Sequence, residues 1–228
     1  MKLPKLIAIT QPDLALNITP EEFIAYAARI SNPSNQMNTA TAPKLLHYLV
    51  KAGHWSPFDM VDMTVEVTTS KAIAIQLLRH WSFRVQEWSQ RYSVVEELNY
   101  DHLEVRQKAV GGNRQGSDGV NADLTDTAQG YCYADAYCYR SLMAEGAAPE
   151  SARMVLPMAT LTTLYVKGSV RTWMTYFWQR LDPHAQKEHR ELAQGIFDVF
   201  QKEFPIIAAL VLTHKPSVIE QENWSIPQ

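Results

Sequence analysis

Residues 79–93, RHWSFRVQEWSQRYS, carry three arginines, a histidine and a glutamate beside three serines and two glutamines, with Trp81, Trp88 and Tyr92 adding ring faces. Arginine offers a rigid fork of donors that fits phosphate and carboxylate, and aromatic faces stack on flat rings. Serine hydroxyls and backbone amides can close around the same anion. Phe83 and Val85 are the plain apolar filler of the run, so it is built neither as core nor as linker. Such a set suits a nucleotide or a nucleotide-like cofactor. A second group, Arg153, Arg171 and Arg180, follows farther along, and Lys167 is the only lysine in either window. Arginine used in preference to lysine points to forked contacts with an anion; ordinary surface ion pairs are the plainer alternative.

The flanking segments must hold these groups in place. Thr19-Pro20-Glu21-Glu22 joins an N-cap, a proline at the first helical position and a glutamate at N3, so a helix is expected to about Ile30. Ser31 to Thr41 reads as a loop. Pro43 opens a second helix, with Leu45, Leu46, Leu49 and Val50, that Gly53 ends. Val61, Met63, Val65 and Val67 alternate with Asp62, Thr64, Glu66 and Thr68, the pattern of a half-buried strand. Lys71 to about His80 reads as a buried helix carrying Gln76 and Arg79 on one face. Val94 to Val105 has room for a short strand, and the glycine-rich run from Gly111 to Gly119 reads as a mobile loop or a lid. Asp126 to Ala144, closed by Gly146, is expected to be a long helix, and Pro149 starts another that Leu156-Pro157 breaks. Thr160 to Lys167 reads as a strand, Ser169 as the cap of a helix from Val170 to Leu181, and Asp182-Pro183 as the start of a helix reaching about Phe204. No repeat or linker-like stretch interrupts the chain, and a single α+β domain over residues 1–228 is expected.

Composition narrows the class. Apolar residues at 46% and charged residues at 20% suit a globular protein with a real core. A net charge of −3 counts against an electrostatic nucleic-acid binder. No apolar run reaches the roughly 18 residues of a membrane span, and the short apolar stretch after Pro4 does not resemble a signal peptide. Cys132 and Cys138 fit neither a metal knuckle nor a disulfide framework; buried small hydrophobes in a reducing compartment are expected. No metal constellation stands out. Trp173, Tyr176, Phe177 and Trp178 are expected in the core or a subunit interface. Tyr131, Tyr133, Tyr137 and Tyr139 are expected to pack the long helix, and His189 and His214 to lie on the surface.

The order of residue types is more specific than their composition. Arg79-His80, then Glu87, Ser89, Arg91 and Tyr92, resembles the signature of the flavin-dependent thymidylate synthases, often embedded as RHRxxSxxExSxRYS. His54-Trp55-Ser56-Pro57-Phe58-Asp59 resembles the family's H-x-[ST]-P-F-[ED] turn, and Ala27 to Ser31 its first-helix ending. Ala152 to Pro157 is similar to its A-R-x-x-L-P, and Arg180 with His184-Ala185-Gln186 to its closing R…HAQ. These matches keep their order from residue 27 to residue 186. The resemblance implies an α+β fold with a central, mostly antiparallel sheet flanked by helices. It also implies a homotetramer with active sites between subunits, in the cytoplasm of the cell or, for a viral enzyme, of its host. The implied reaction methylates deoxyuridylate (dUMP) to thymidylate, with carbon from methylene-tetrahydrofolate and hydride from FAD that NADPH reduces. At the matching positions, Arg180 is implied as the catalytic group that stabilises negative charge on the uracil ring. Gln76, Arg79, Glu87, Ser89, Arg91, Arg153 and Arg180 are implied as dUMP contacts. Ser56, Arg79, His80, Trp81, Glu87, Ser169, Arg171 and Thr175 are implied as FAD contacts. Metal, nucleic acid and membrane have no part in it.

Four positions depart from the family pattern. Trp81 stands where a second arginine is common, Arg84 where serine is frequent, Met60 where histidine is common and Thr175 where asparagine is common. An indole can stack on a ring where a cation is lost, and Arg84 can return the charge from a neighbouring position. Flavin-free thymidylate synthases use a cysteine nucleophile, and neither cysteine here has such a setting. Ser89 reads as a binding residue, with Glu87 its nearest candidate base. Two other readings use the same residues: a relative that binds FAD or nucleotide without turnover, and a non-enzymatic nucleotide- or RNA-binding module.

Overall fold

The computed structural model describes residues 2–109 and 116–214. Its strands are β1 (Lys5–Ile9), β2 (Asp62–Ser70), β3 (Arg84–Glu87), β4 (Arg106–Lys108), β5 (Ser117–Val120) and β6 (Leu161–Ser169). Its helices are α1 (Pro20–Ala28), α2 (Ala42–Ala52), α3 (Lys71–Leu78), α4 (Ala122–Ala144), α5 (Pro149–Ala152), α6 (Val170–Arg180), α7 (Lys187–Glu203) and α8 (Pro205–Thr213), with short 3-10 turns between. One sheet has the order β1-β2-β6-β3 and a second pairs β4 with β5. β1 runs antiparallel to β2. Thr68 faces Thr163 across β2 and β6, while Val170 donates to the Val61 carbonyl, so that pair also runs antiparallel. The expected α+β class with an antiparallel sheet and helices is what the chain forms. The described residues group into two units whose boundaries fall inside β2, β3 and β6: residues 2–3 and Val67–Arg79 with Val85–Tyr165, and Pro4–Glu66 with His80–Arg84 and residues 166–214.

In the second of these units the caps expected from sequence are in place. Thr19 and Glu22 form a reciprocal capping box on α1, and Gly53 ends α2 at φ 69°, a conformation glycine adopts without cost. Met63 and Val65 point inward from β2 and are fully buried. Against them the Trp173 indole donates to the Met63 carbonyl at 3.1 Å, and Phe177 packs edge-on to Phe197 and Phe200 at 5.0 and 5.1 Å. The aromatic run of α6 is therefore core. Pro205 does not simply end α7: it is the first residue of α8, which went unforeseen, as did β1. α7 starts at Lys187 and not at Asp182, because the Asp182 carboxylate accepts the His184 N–H in a turn.

In the other unit Ser70 caps α3 by accepting the Ile73 N–H. Ile73, Ala74 and Leu77 are buried, while Ile75 and Leu78 stay exposed, so this helix is half-buried where a buried one was expected. No strand forms between Val94 and Val105; that stretch is pinned by side chains instead. The Val95 N–H donates to the Tyr139 hydroxyl at 3.0 Å, and the buried Tyr100 hydroxyl meets the Thr160 hydroxyl at 3.1 Å. Of the glycine-rich run, residues 111–115 lie outside the described residues, and its end is strand β5 rather than loop. α4 begins at Ala122, where the Asn121 side chain accepts the Leu124 N–H, and not at Asp126. Tyr139 is core, but Tyr131 and Tyr137 are largely exposed, against the expectation that all four tyrosines pack. Cys132 is buried as expected and Cys138 is exposed. His189 is also misplaced by the sequence reading: it is fully buried. Among the described residues no helix is long and apolar enough to cross a membrane, and no acid, histidine and cysteine group could hold a metal ion.

Candidate functional site

The polar segment 79–93 is a turn, then β3, then a loop, so its side chains are spread by strand geometry and not by a helix face. Glu87 ends β3 with its carboxylate half-buried. Its Oε1 accepts from Lys71 Nζ at 2.6 Å and from the Thr162 hydroxyl at 2.8 Å. Lys71 comes from the first turn of α3 and Thr162 from β6. Gln76 is half-buried along α3, and Arg79 caps its exposed end. Ser89 turns the chain after β3 by accepting the Arg91 N–H at 3.3 Å. Glu150 brings two of the expected dUMP contacts together. Its Oε2 accepts from Arg91 Nε at 3.0 Å, and its carbonyl accepts from Arg153 Nε at 3.3 Å. The Arg91–Glu150 pair is exposed, and such a pair holds by about 0–1 kcal/mol, so an arriving phosphate can displace it.

The second group belongs to the other unit. Asp59 accepts the Ser169 hydroxyl through Oδ1 at 2.7 Å and Arg171 through Oδ2 at 3.1 Å. Ser169 at the same time caps α6 by accepting the Thr172 N–H, so a turn residue, a strand end and a helix start are locked to one carboxylate. Thr175 donates back to the Arg171 carbonyl at 3.0 Å, and Ser56 is exposed at the start of the turn that carries Asp59. Trp81 is exposed. Arg84 does not lie over it but donates to the Trp81 and Phe83 carbonyls, which stiffens the turn.

His80 and Arg180 meet in a part-buried polar contact. Arg180 Nε donates to His80 Nε2 at 2.9 Å. Around them Tyr176 lies 5.2 Å from the His80 ring and 5.7 Å from that of His189, with the two imidazoles 6.1 Å apart. Burial, with the Arg180 charge second, pushes His80 down to about 4 and His189 down to about 3, and burial pushes the Tyr176 phenol well above its usual range. Both imidazoles are therefore neutral at physiological pH.

The expected dUMP contacts other than Arg180 fall in one unit, and the expected FAD contacts other than Arg79 and Glu87 in the other. Five participants were missed; Glu150, just ahead of the Ala152 to Pro157 match, had no local signal for its meeting with Arg91. Asp59 was visible at the end of the His54 turn. Lys71 had a signal of its own, a cation at the positive end of a helix. Thr162 and His189 had none beyond their place on a strand and a helix face.

These features define an α+β protein with forked cations, carboxylates and neutral imidazoles set on its strands, turns and helices. The fold is shared with the crystal structure of a UMP/dUMP methylase PolB from Streptomyces cacaoi bound with 5-Br dUMP, at a TM-score of 0.77 over 93% of this chain and 95% of that one, with 23% identity. The family model described as thymidylate synthase complementing protein matches residues 14–206. A flavin-dependent thymidylate synthase of Synechocystis sp. is 43% identical over 213 residues, 90% of this chain and 97% of that one. A probable flavin-dependent thymidylate synthase of Paramecium bursaria Chlorella virus 1 is 44% identical over 209 residues, 90% and 96% of the two chains. The chain belongs to the flavin-dependent thymidylate synthase family.

Proposed function

We propose that this chain, as one domain over residues 1–228, converts dUMP to thymidylate, taking carbon from methylene-tetrahydrofolate and hydride through FAD that NADPH has reduced. The observation that carries the reading is family membership over nearly the whole of the curated relatives. The donor chemistry fits. Arg171 and Arg84 offer cations for a pyrophosphate, the exposed Trp81 offers a ring face, and Ser56, Ser169, Thr175, His80, Arg79 and Glu87 complete the FAD contacts. FAD, when bound, supplies the redox chemistry.

The chain's own residues do the rest. Arg91 and Arg153, beside Glu150, are the phosphate donors, with Gln76, Arg79, Ser89 and Glu87 aligning the nucleotide. Arg180 is the catalytic group: its cation stabilises the negative charge that develops on the uracil as it becomes nucleophilic. The neutral His80 accepts one of its donors, so the guanidinium is oriented without being neutralised.

We place the enzyme in the cytoplasm, and its two free thiols fit a reducing compartment. A homotetramer is supported by the large exposed tyrosines of α4, Tyr131 and Tyr137, which a lone subunit leaves in water. The deciding experiment is tritium release from dUMP labelled at the ring carbon that gains the methyl group, in protein whose flavin spectrum bleaches with NADPH. Release that needs both folate and NADPH is expected; none from FAD-loaded protein overturns the reading.

A further inference from the structure

Glu87 is held in an uneven way. Both of its protein donors, Lys71 Nζ and the Thr162 hydroxyl, sit on the single oxygen Oε1. Among the described residues Oε2 accepts no hydrogen bond. Lys71 itself is out of place by helix electrostatics, because a cation in the first turn faces the positive end of the α3 dipole. Its position is nonetheless fixed: the Lys71 N–H donates to the Thr160 carbonyl at 2.9 Å and the Ala72 N–H to the Met158 carbonyl at 3.0 Å. Lys71 and Glu87 side chains are only 28% and 22% exposed, so the pair is partly shielded and charge-assisted.

We propose that Lys71 is a positioning residue: with Thr162 it grips Glu87 by Oε1 and so presents Oε2 to a hydrogen-bond donor of the nucleotide. This rests on the assignment of Glu87 to the dUMP site. An ionised carboxylate only accepts, so its partner must be one of the two neutral donors that dUMP carries, the sugar hydroxyl or the uracil ring N–H. Without Lys71 the carboxylate can rotate and exchange its oxygens, and the substrate contact is lost, while the flavin is retained by its other contacts.

The test uses full-length holoenzyme with Lys71→Met, Glu87→Gln, the double variant, and Thr162→Val as a second way to free Oε1. Lys71→Met and Thr162→Val are each expected to weaken dUMP binding about tenfold, the scale of one hydrogen bond to a charged group, with flavin content and denaturation midpoint held. The double variant should be no weaker than Glu87→Gln alone. Lys71→Arg should recover most of the binding. The penalty should vanish with either a dUMP analogue lacking the sugar hydroxyl or one methylated on the ring nitrogen, which names the donor. Unchanged dUMP binding in both Lys71→Met and Thr162→Val, or additive losses in the double variant, overturns the positioning role. Wild-type holoenzyme that fails to bind dUMP at all overturns the functional reading instead.

Discussion

His80 accepts the Nε–H of Arg180 through Nε2 at 2.9 Å, which requires that nitrogen to be unprotonated. The neutral ring must then carry its proton on Nδ1. Its depressed pKa of about 4 keeps that tautomer available across the whole working range. Replacing His80 with Phe keeps a ring beside Tyr176 and removes the acceptor. We expect His80→Phe to fold and to lose roughly 10–100-fold in kcat, the cost of a misplaced catalytic group. Turnover per bound flavin is the quantity to measure. A loss of flavin with unchanged turnover per flavin would show that His80 serves the cofactor and not Arg180.

Trp81 stands exposed at the position where the family resemblance implies a second arginine. Its indole takes no part in the ring packing that holds Phe83, and its carbonyl already accepts from Arg84. Trp81→Arg should therefore retain FAD and fold with a midpoint within about 0.5 kcal/mol of the parent, as exposed substitutions do. The flavin-to-protein absorbance ratio of the purified variant checks it; loss of the flavin band would mean that the indole is a stacking face that a cation cannot replace.

Gly168 lies where β6 passes under Phe83. A Cβ there would stand 2.7 Å from two carbons of the Phe83 ring and 3.0 Å from the Thr172 methyl. Phe83 cannot yield easily, being wedged against Trp173 at 4.5 Å and Tyr176 at 5.5 Å. Gly168→Ala is expected to destabilise by about 1–3 kcal/mol, the overpacking range, read from the urea midpoint. An unshifted midpoint would mean that the ring stack is looser than these distances state.

What the sequence disclosed follows from how local each signal is. Thr19, Gly53 and Ser169 act within one turn of their own position, and β2 announces itself by alternation, so those elements were legible. Pro205 carries two meanings, since a proline both stops one helix and suits the first position of the next; only packing decides. β1 is five residues long and mostly exposed, with no alternation to show it. His189 reads as a surface residue when considered alone, although Leu192, Ala193 and Ile196 continue its face of α7 at helical spacing. That stripe was the available clue. Asp59 and Ser169 are 110 residues apart, and Lys71 and Thr162 meet at Glu87 from two other elements. Spacing along a chain carries no record of such meetings.

The buried ionisable groups should give the fold an acid limb of a particular shape. His80 and His189 have pKa values of about 4 and about 3, below the 6.5 of an unperturbed imidazole. As pH falls from about 6.5 the unfolded chain takes up two protons that the folded chain refuses, so stability is present above that value and is lost toward acid. Glu21 works in the opposite sense. It is 3% exposed, and burial raises it to about 7 from 4.5 even though it accepts the Ile207 N–H at the start of α8 at 2.7 Å. Its contribution is full below about 4.5 and is lost as pH rises through 7. Between about pH 6.5 and 4.5 the two histidines therefore outweigh one glutamate, each proton contributing at most about 1.4 kcal/mol per pH unit. Glu21→Gln keeps an acceptor for Ile207 and removes the opposing proton. Urea midpoints at several pH values should show a steeper fall toward acid in Glu21→Gln than in the parent, and a flatter one in His189→Gln. Parallel slopes in all three proteins would place the acid sensitivity elsewhere.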